Sequence, residues 1–377
     1  MSIVVVTGTL TPYNRRLYDA FADLSREELH VLACNSNEPH RDWVVERPQH
    51  FELHILPGFR RHISDIRHIY VNPSVITRLR KVRPDIIAVA DFSPTMGLAT
   101  VYARTTGTPY GIATDGGLAT DPGERSRPHR LMRQMMVPNA RFGICASEAS
   151  VRLLSRWGLK PELATVVPLV PPWDAPVDVP DLDQRPFDIL FAGGLNEEIK
   201  GALFFTDVVA RMKARRPGLR VRITGRGQAR AEMQARLEAQ GIAAQFDGPL
   251  QPSDMVGVFK SAKLLMFPSR GDTWGLVANE AVQCGMPVLG SPHANSSAGY
   301  VERFGLGLVR PLEIEAWADA ALDMLASPAR LSGFMARRAE ALAWSNLAGS
   351  AWALKRAFDV GRGRSAAIGL AGQAATL

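Results

Sequence analysis

The sequence predicts an α/β protein made of two doubly wound domains. Short apolar runs alternate with amphipathic stretches from the first residues onward, a pattern typical of parallel sheets with helices on both faces. A Pro-rich passage over 171–186 interrupts this alternation, and a second alternating series begins at Phe187. At 377 residues the chain is long enough for two cores. We therefore predict domains at 1–170 and 187–344, joined by an extended linker.

The first domain is predicted to alternate between short apolar strands and helices of plausible periodicity. Gly107 and Gly158 stand where two of the helices are expected to end. The predicted strands are Ile3–Val6, Glu28–Ala33, Phe51–Leu56, Ile86–Ala90, Tyr110–Thr114, Phe142–Cys145 and Thr165–Val167. The predicted helices are Thr11–Leu24, Pro73–Lys81, Pro94–Thr105, Arg127–Met136 and Ala146–Trp157.

The second domain repeats this alternation and ends in a long helical segment, Ala336–Phe358. Residues 361–377 are rich in Gly, Ala and Arg, have little to bury and are expected to form a mobile tail. The predicted strands are Phe187–Ala192, Arg220–Thr224, Ala244–Phe246, Leu264–Phe267, Val288–Gly290 and Gly307–Val309. The predicted helices before the closing segment are Ala202–Ala214, Arg230–Gln240, Ser253–Lys260, Leu276–Cys284 and Glu313–Ala326.

The composition is that of a soluble globular protein, with 46% hydrophobic and 21% charged residues. The opening segment Met1–Gly8 lacks the basic region of a signal peptide and predicts a buried strand, so we expect a cytoplasmic protein. Three widely spaced cysteines favour neither a disulfide framework nor a metal cluster. Histidines such as His62 and His68 show no zinc-site spacing, so no metal is expected.

The net charge of +7 is unevenly distributed, which leaves three interpretations open. Nucleic acid is disfavoured because no nucleic-acid motif or aromatic stacking pattern accompanies the charge. An anionic membrane surface fits basic amphipathic segments better, and simple solvation of an Arg-rich surface remains an alternative. The two basic clusters are Arg60, Arg61, Arg67, Arg78, Arg80, Lys81 and Arg83, and Arg125, Arg127, Arg130 and Arg133.

The most informative motif is the segment from Pro268 to Ala281. Asp272 and Glu280 lie eight positions apart, with a Trp-Gly turn between them and a predicted helix behind. Free N–H groups at a helix start favour phosphate, and carboxylates accept hydrogen bonds from sugar hydroxyls. The motif therefore predicts a site for an anion that carries hydroxyls. An ordinary strand, turn and helix with surface acids is the alternative.

With Gly285-Met286-Pro287-Val288 behind it, this segment resembles the nucleotide-sugar signature of retaining family 4 glycosyltransferases, particularly those of bacterial polysaccharide assembly. The first acid of that signature is usually Glu and is Asp272 here. The resemblance implies the GT-B fold, with two Rossmann-like domains facing each other across a cleft. It also implies that a last helix, at about 345–360, crosses back to pack on the first domain, a role that suits Trp344, Trp352 and Phe358.

The resemblance assigns donor-binding roles in the second domain. Lys200 matches a lysine that holds the donor diphosphate, whereas Gly194 stands where the family has Arg, for which Arg270 or Arg226 are candidate replacements. Asp272 would reach the transferred sugar, Glu280 the ribose, and the backbone near Gly248 and Leu250 the base. A mere glycine turn with a surface lysine is the alternative for the first loop. The implied donor-binding set is Gly193, Gly194, Gly225, Arg226, Gly248, Leu250, Arg270, Trp274, Gly275, Leu276, Val277 and Glu280.

The resemblance is weaker in the first domain. Family members often have His at the end of the strand that here runs into Asp115. Asp115 is a candidate for binding a donor hydroxyl, orienting the acceptor or stabilising an oxocarbenium-like transition state, and the alternative is that it caps the following Gly-Gly turn. The implied catalytic residues are Asp272, Lys200 and Asp115. Further cleft candidates are Asn14, Arg15, Arg16, Asp91 and Ser93.

These observations lead us to expect a retaining, metal-independent hexosyltransferase without a further cofactor. Its donor would be a nucleoside-diphosphate sugar, and its acceptor a glycan or lipid-linked saccharide at the inner face of the membrane. Because Gly194 and Asp115 replace two familiar residues, the other hypothesis is a non-catalytic GT-B protein that binds a sugar nucleotide or supports a partner transferase.

Overall fold

The computed structural model describes residues 1–36, 44–64 and 67–364. These divide into two compact units, the first containing 1–36, the described part of 45–168, and 347–364, and the second containing 44 and 169–346. Each unit has a parallel sheet of its own. The predicted class, α/β with two Rossmann-like halves, is confirmed.

The first unit is built around a seven-stranded parallel sheet. Its elements up to 168 are β1 (Ser2–Thr9), α1 (Pro12–Ser25), β2 (Glu28–Asn35), β3 (Glu52–Ile55), β4 (Phe59–Ser64), β5 (Arg67–Val71), α2 (Ser74–Val82), β6 (Ile86–Ala90), α3 (Pro94–Thr106), β7 (Tyr110–Thr114), α4 (Arg127–Met136), β8 (Phe142–Cys145), α5 (Glu148–Arg156) and β9 (Ala164–Val166). The sheet order is β3-β2-β1-β6-β7-β8-β9. From β1 the sheet extends through β2 and β3 on one side and from β6 to β9 on the other, so the strand order switches between β1 and β6. Open α/β sheets bind ligands in the crevice at such a switch point.

The second unit repeats this design with six parallel strands in the order β12-β11-β10-β13-β14-β15, where the switch point lies between β10 and β13. A π-helical turn, Ser297–Glu302, precedes the last strand. The elements are β10 (Phe187–Ala192), α6 (Glu197–Lys200), α7 (Ala202–Arg215), β11 (Val221–Thr224), α8 (Arg230–Ala239), β12 (Ala244–Gly248), α9 (Pro252–Lys260), β13 (Ala262–Phe267), α10 (Val277–Gln283), β14 (Val288–Gly290), β15 (Gly307–Val309), α11 (Ile314–Met324), α12 (Pro328–Gly333) and α13 (Arg338–Trp344).

The hairpin formed by β4 and β5 was not predicted. The two strands pair antiparallel and form a sheet separate from the seven-stranded one. Phe59 at its start is 77% exposed, and Arg60 and Arg61 are exposed as well. The sequence of the two strands lacks the regular apolar alternation by which strands are recognised, so it indicates only a basic cluster.

The closing helical segment is two helices rather than one. The helix α13 ends at Trp344, and α14 (Leu347–Gly361) begins after Ser345 and Asn346, residue types whose side chains compete for backbone hydrogen bonds and favour helix ends. The expectation that three aromatic residues pack on the first unit is correct only for Phe358. Trp344 belongs to the second unit, and Trp352 is exposed.

The helix α14 completes the core of the first unit. The Phe358 ring lies 5.4 Å from the ring centroids of both Phe21 and Phe142. Among the described residues no helix is both long and apolar enough to cross a membrane. Gly361 is the last residue of α14, and the remainder of the expected tail, from 365 onward, lies outside the described residues.

The Pro-rich passage is more than an extended linker, because it carries a buried arginine. Arg185 is only 2% exposed, and its guanidinium donates to the carbonyl oxygens of Ala262 (2.8 Å), Cys284 (2.8 Å) and Pro180 (3.2 Å). Burial lowers the pKa of this guanidinium to about 10. Arg185 thus ties the passage to the ends of β13 and α10, and the carbonyl groups offset the cost of burying its charge.

Replacement of this arginine should destabilise the second unit strongly. We expect Arg185→Ala to lower the free energy of unfolding by about 3–5 kcal/mol, because several buried carbonyl groups lose their donors and a cavity remains. Urea unfolding followed by circular dichroism measures the effect, with the exposed Arg220→Ala as the matched control. Equal unfolding midpoints for the two variants would contradict the role given to Arg185.

Candidate functional site

The candidate site lies at the carboxyl edge of the second sheet. The loops that follow β10 and β13 come from adjacent strands on the two sides of the switch point, and the loop after β11 lies next to them. Loops at this edge meet because parallel strands all end on the same side of the sheet. The predicted site residues of the second unit lie on these loops, at the end of β12 and on the loop after it, and on α6 and α10.

The loops after β10 and β11 are joined backbone to backbone. The Gly193 N–H donates to the Thr224 carbonyl (3.1 Å), and the Leu195 N–H donates to the Arg226 carbonyl (2.8 Å). Gly225 has φ +126°, and a Cβ on it would lie 1.8 Å from the Gly193 carbonyl oxygen. Only glycine fits at this position, so the glycines of the two loops allow the loops to approach each other closely.

The loop after β12 is attached to the same cluster. The Gly248 carbonyl accepts from the Gly225 N–H (2.8 Å) and from the Thr224 hydroxyl (3.0 Å). Leu250, two residues further on, is half-buried. Since the Gly248 carbonyl is already engaged, a nucleotide base at this loop would have to use its other backbone groups.

The short helix α6 carries Lys200 and is fixed at both ends. The Asn196 side chain accepts from the N–H groups of Ile199 (3.0 Å) and Lys200 (3.1 Å), so it caps the start of the helix. Gly201 ends it with φ +65°, where a Cβ would lie 2.2 Å from the Pro268 carbonyl oxygen. The helix is therefore held directly against the loop after β13.

This arrangement brings Lys200 and Asp272 together. Their Nζ and Oδ2 atoms form an ion pair, although 72 positions separate the two residues. Both side chains are mostly shielded from solvent. The Asp272 N–H donates to the His293 carbonyl (3.2 Å), which braces the acid from the loop after β14. A cation and a carboxylate thus lie in direct contact at the switch point of the second sheet.

A second ion pair lies close by. The Arg270 guanidinium donates to Glu197 Oε1 through Nε (2.9 Å) and Nη2 (2.6 Å), and Glu197 Oε2 accepts from the Leu203 N–H (2.7 Å) at the start of α7. Arg270 was a candidate to replace the arginine that the family has at Gly194, and here its charge is engaged by Glu197. The other candidate, Arg226, is half-buried on the loop after β11.

The Trp-Gly turn ahead of α10 is present as the sequence predicted. Gly275 has φ +89°, and a Cβ on it would lie 2.5 Å from the Phe267 ring, so this position also requires glycine. The helix α10 begins at Val277, immediately after Leu276. Glu280 is its fourth residue and is half-buried, which places it one turn into the helix.

The Trp274 side chain belongs to the core and not to a ligand surface. It is 1% exposed, its Nε1 donates to Asn279 Oδ1 (2.9 Å), and its ring lies 6.3 Å from that of Trp344. Trp274 can therefore contribute to ligand binding only through its backbone. An indole in this motif is better explained by packing between α10 and α13.

The candidates of the first unit gather at its own switch-point edge. Asp115 follows β7, and Asp91 follows the adjacent β6 in a left-handed conformation with φ +75°, accepting from the Ser93 N–H (2.7 Å). Desolvation by the surrounding protein, with nearby Asp115, raises the pKa of Asp91 to about 6, although more than a third of the residue's surface is exposed. Arg15 on α1 is engaged by Asp19 (2.9 Å).

Three residues that position the loops of the candidate site were not predicted from the sequence. Asn196 had a recognisable signal, since Asn followed by Glu197 and Glu198 is typical of a helix start. The helix is only four residues long, too short for periodicity to indicate it. The roles of Glu197 and His293 depend on contacts between distant loops and leave no local signal.

Sequence comparison connects the second unit to a known family. The profile of the family described as "Glycosyl transferases group 1" matches residues 186–327. The D-inositol 3-phosphate glycosyltransferase of Mycolicibacterium paratuberculosis is 33% identical over 142 residues, which are 36% of this chain and 32% of the relative. The chain thus spans about a third of that relative's length. The protein of the same name from Pseudarthrobacter chlorophenolicus is 26% identical over 90% of this chain and 88% of its own.

Solved structures match over nearly the whole chain. HepE from Anabaena, in complex with UDP and glucose, superposes with a TM-score of 0.74 at 15% identity, covering 95% of this chain and 99% of HepE. WaaG, a glycosyltransferase involved in lipopolysaccharide biosynthesis, gives a TM-score of 0.68 at 14% identity, with coverage of 95% and 99%. These likenesses confirm the predicted GT-B fold.

The contact between the glycine loops gives a direct test of the site's construction. We expect Gly225→Ala to lower the free energy of unfolding by about 2–4 kcal/mol, because the added methyl group meets a carbonyl oxygen and the backbone conformation is strained. Gly271→Ala is the matched control, since a Cβ there meets nothing within 4 Å, and it should change stability by less than about 0.5 kcal/mol. Urea unfolding that shows both variants to be equally stable would refute this packing.

Proposed function

We propose that this protein is a retaining, metal-independent glycosyltransferase that transfers a hexose from a nucleoside-diphosphate sugar to a glycan or lipid-linked saccharide. The family match over 186–327 supports the proposal, because that range contains Lys200, Asp272 and Glu280. The complex of HepE with UDP and glucose supports a nucleotide-sugar donor. WaaG's involvement in lipopolysaccharide biosynthesis supports a lipid-linked acceptor.

The observation that carries the proposal is the ion pair of Lys200 with Asp272 at the switch point of the second sheet. A lysine ammonium has three donors, so Lys200 can keep its bond to Asp272 and also donate to a phosphate oxygen. A carboxylate can accept several hydrogen bonds, so Asp272 can also receive a sugar hydroxyl. One pair would thus bind the two sides of the bond that is broken, the diphosphate and the sugar.

The chemistry that we propose needs no nucleophilic side chain. The bond between the anomeric carbon and the diphosphate oxygen breaks, and a bond to the acceptor oxygen forms on the same face of the sugar. The acceptor's proton passes to the departing diphosphate. In this scheme Lys200 stabilises the charge that develops on the leaving group, and a preorganised cation in a site shielded from water is effective in that role.

The other donor contacts follow from the positions of the remaining residues. Glu280 would accept hydrogen bonds from the ribose, and the backbone beside Gly248 and Leu250 would contact the base. Asp115, at the sheet edge of the first unit, would act on the sugar or the acceptor. The exposed Phe59 and its basic neighbours on β4 support peripheral contact with an anionic membrane at the cytoplasmic face.

Donor binding tests the site independently of the acceptor. Ligand that binds only the native state raises the melting temperature, so a thermal-shift series with UDP, GDP and ADP identifies the base. We expect Glu280→Ala to raise the donor Kd by about 10–100-fold, because a charge-assisted hydrogen bond is worth about 1.5–3 kcal/mol. Unchanged nucleotide affinity in Glu280→Ala would remove Glu280 from the site.

Turnover tests the role of the lysine. We expect Lys200→Met to lower kcat for donor hydrolysis or transfer by about 100–1,000-fold, because it removes a group that stabilises the transition state. Lys213→Met, a lysine at the surface of α7, is the matched control. Nucleotide sugars of several kinds serve as donors, and the melting temperature of each variant reports its folding.

The two outcomes of that experiment separate catalysis from simple binding. Loss of turnover in Lys200→Met with a normal control supports a transferase. Nucleotide binding by the wild-type protein without turnover of any donor would instead favour a non-catalytic GT-B protein. That alternative stands because Gly194 and Asp115 occupy positions where the family usually has Arg and His.

A further inference from the structure

The edge of the first sheet carries a cluster of histidine and glutamate side chains that the proposed transfer does not use. The strands β2 and β3 pair in parallel, with His30 opposite Glu52 and Leu32 opposite His54. Because side chains alternate between the faces of a sheet, His30, Glu52 and His54 project from the same face, together with Glu28. The local spacing of histidines in the sequence does not indicate this pair, because its members lie on two strands.

Three potential ligand atoms form a nearly equilateral triangle. His30 Nδ1 lies 3.3 Å from His54 Nε2, and Glu52 Oε2 lies 3.3 Å from each of these nitrogens. In a regular tetrahedron with this edge, the centre lies about 2.0 Å from each corner, which is the distance at which Zn²⁺ binds imidazole nitrogen and carboxylate oxygen. The three atoms therefore match one face of a tetrahedral zinc site.

The outer contact of His30 has the form found behind metal-bound histidines. Its second nitrogen, Nε2, lies 3.0 Å from Glu28 Oε1. When Nε2 carries the proton and donates to Glu28, Nδ1 presents a lone pair toward the centre of the triangle. A carboxylate in this position fixes the tautomer and raises the basicity of the ligand.

Burial and charge also suit a divalent cation. The side chain of His30 is 7% exposed and that of His54 17%, so both rings are held in place, whereas that of Glu52 is 65% exposed and leaves an entry from solvent. Glu28 and Glu52 place two negative charges beside the histidines, while burial and the cation Arg78 on α2 lower the pKa of His54. Two imidazoles and one carboxylate favour zinc-like transition metals over Mg²⁺ or Ca²⁺, which prefer oxygen ligands throughout.

We propose that His30, His54 and Glu52 bind a zinc-like divalent transition metal, with Glu28 positioning His30 and water completing the coordination. The metal joins the edge strand β3 to β2 and so adds its binding free energy to the stability of the first unit. His30 and Glu52 lie toward the amino ends of β2 and β3, and His54 lies within β3, whereas Asp91 and Asp115 follow the carboxyl ends of their strands. The site is structural and separate from the transfer that we propose, which needs no metal.

Metal binding to the tag-free, full-length protein tests this site. After treatment with a chelator and dialysis, titration calorimetry with Zn²⁺ should show one site per chain, and Zn²⁺ should raise the melting temperature. Co²⁺, used as a spectroscopic probe, should give the intense visible absorption of a four-coordinate site. Absence of stoichiometric Zn²⁺ binding in the wild-type protein would overturn the proposal.

Ligand variants locate the metal. His54→Gln and Glu52→Gln should each weaken Zn²⁺ binding by at least about 10-fold, and Glu28→Gln by about 10–100-fold, as loss of an outer carboxylate typically does. His50→Gln, an exposed histidine two residues before Glu52, is the matched control and should bind like the wild type. Glu52 is largely exposed, so its variant should fold even where His54→Gln does not. Equal Zn²⁺ affinity in Glu52→Gln and the wild type would place the metal elsewhere and refute the assignment.

Discussion

The candidate site depends on the close approach of two loops at the carboxyl edge of the second sheet. Gly225 lies directly against the Gly193 carbonyl, and the Leu195 N–H donates to the neighbouring loop. This contact fixes the chain just before Asn196, whose side chain starts α6, and the helix then delivers Lys200 to Asp272. The position of the cation is therefore decided by backbone packing several residues away from it.

Most of the fold was predictable because parallel strands and their helices leave local patterns. Six strands, among them Ile86–Ala90 and Phe187–Ala192, have the predicted bounds, and the other predicted strands differ by a few residues at their ends. The hairpin at β4 and β5 was not predicted, and only the resemblance indicated a separate last helix near α14, because neither feature produces a clear change in periodicity. Packing partners such as those of Trp344 depend on tertiary contacts that no local pattern specifies.

The sequence indicated residues of the candidate site one by one but not their arrangement. The sequence indicated Lys200 and Asp272 separately, and only the strand order makes them neighbours. It gave no sign that Arg270 is engaged by Glu197, so that each of these two cations is matched by an acid. The same limit hid His30 and His54, whose separation of 24 positions has no meaning until β2 and β3 pair in register.

The position of α14, which follows the second unit in the sequence but packs in the first, has a consequence for folding during translation. Phe21, near the beginning of the chain, packs against Phe358, and Arg362 pairs with Glu27 (2.8 Å). A ribosome must therefore translate the whole second unit before the first can close its core. The nascent first unit is left with an open apolar face for that time, and such surfaces attract chaperones or promote aggregation until α14 emerges.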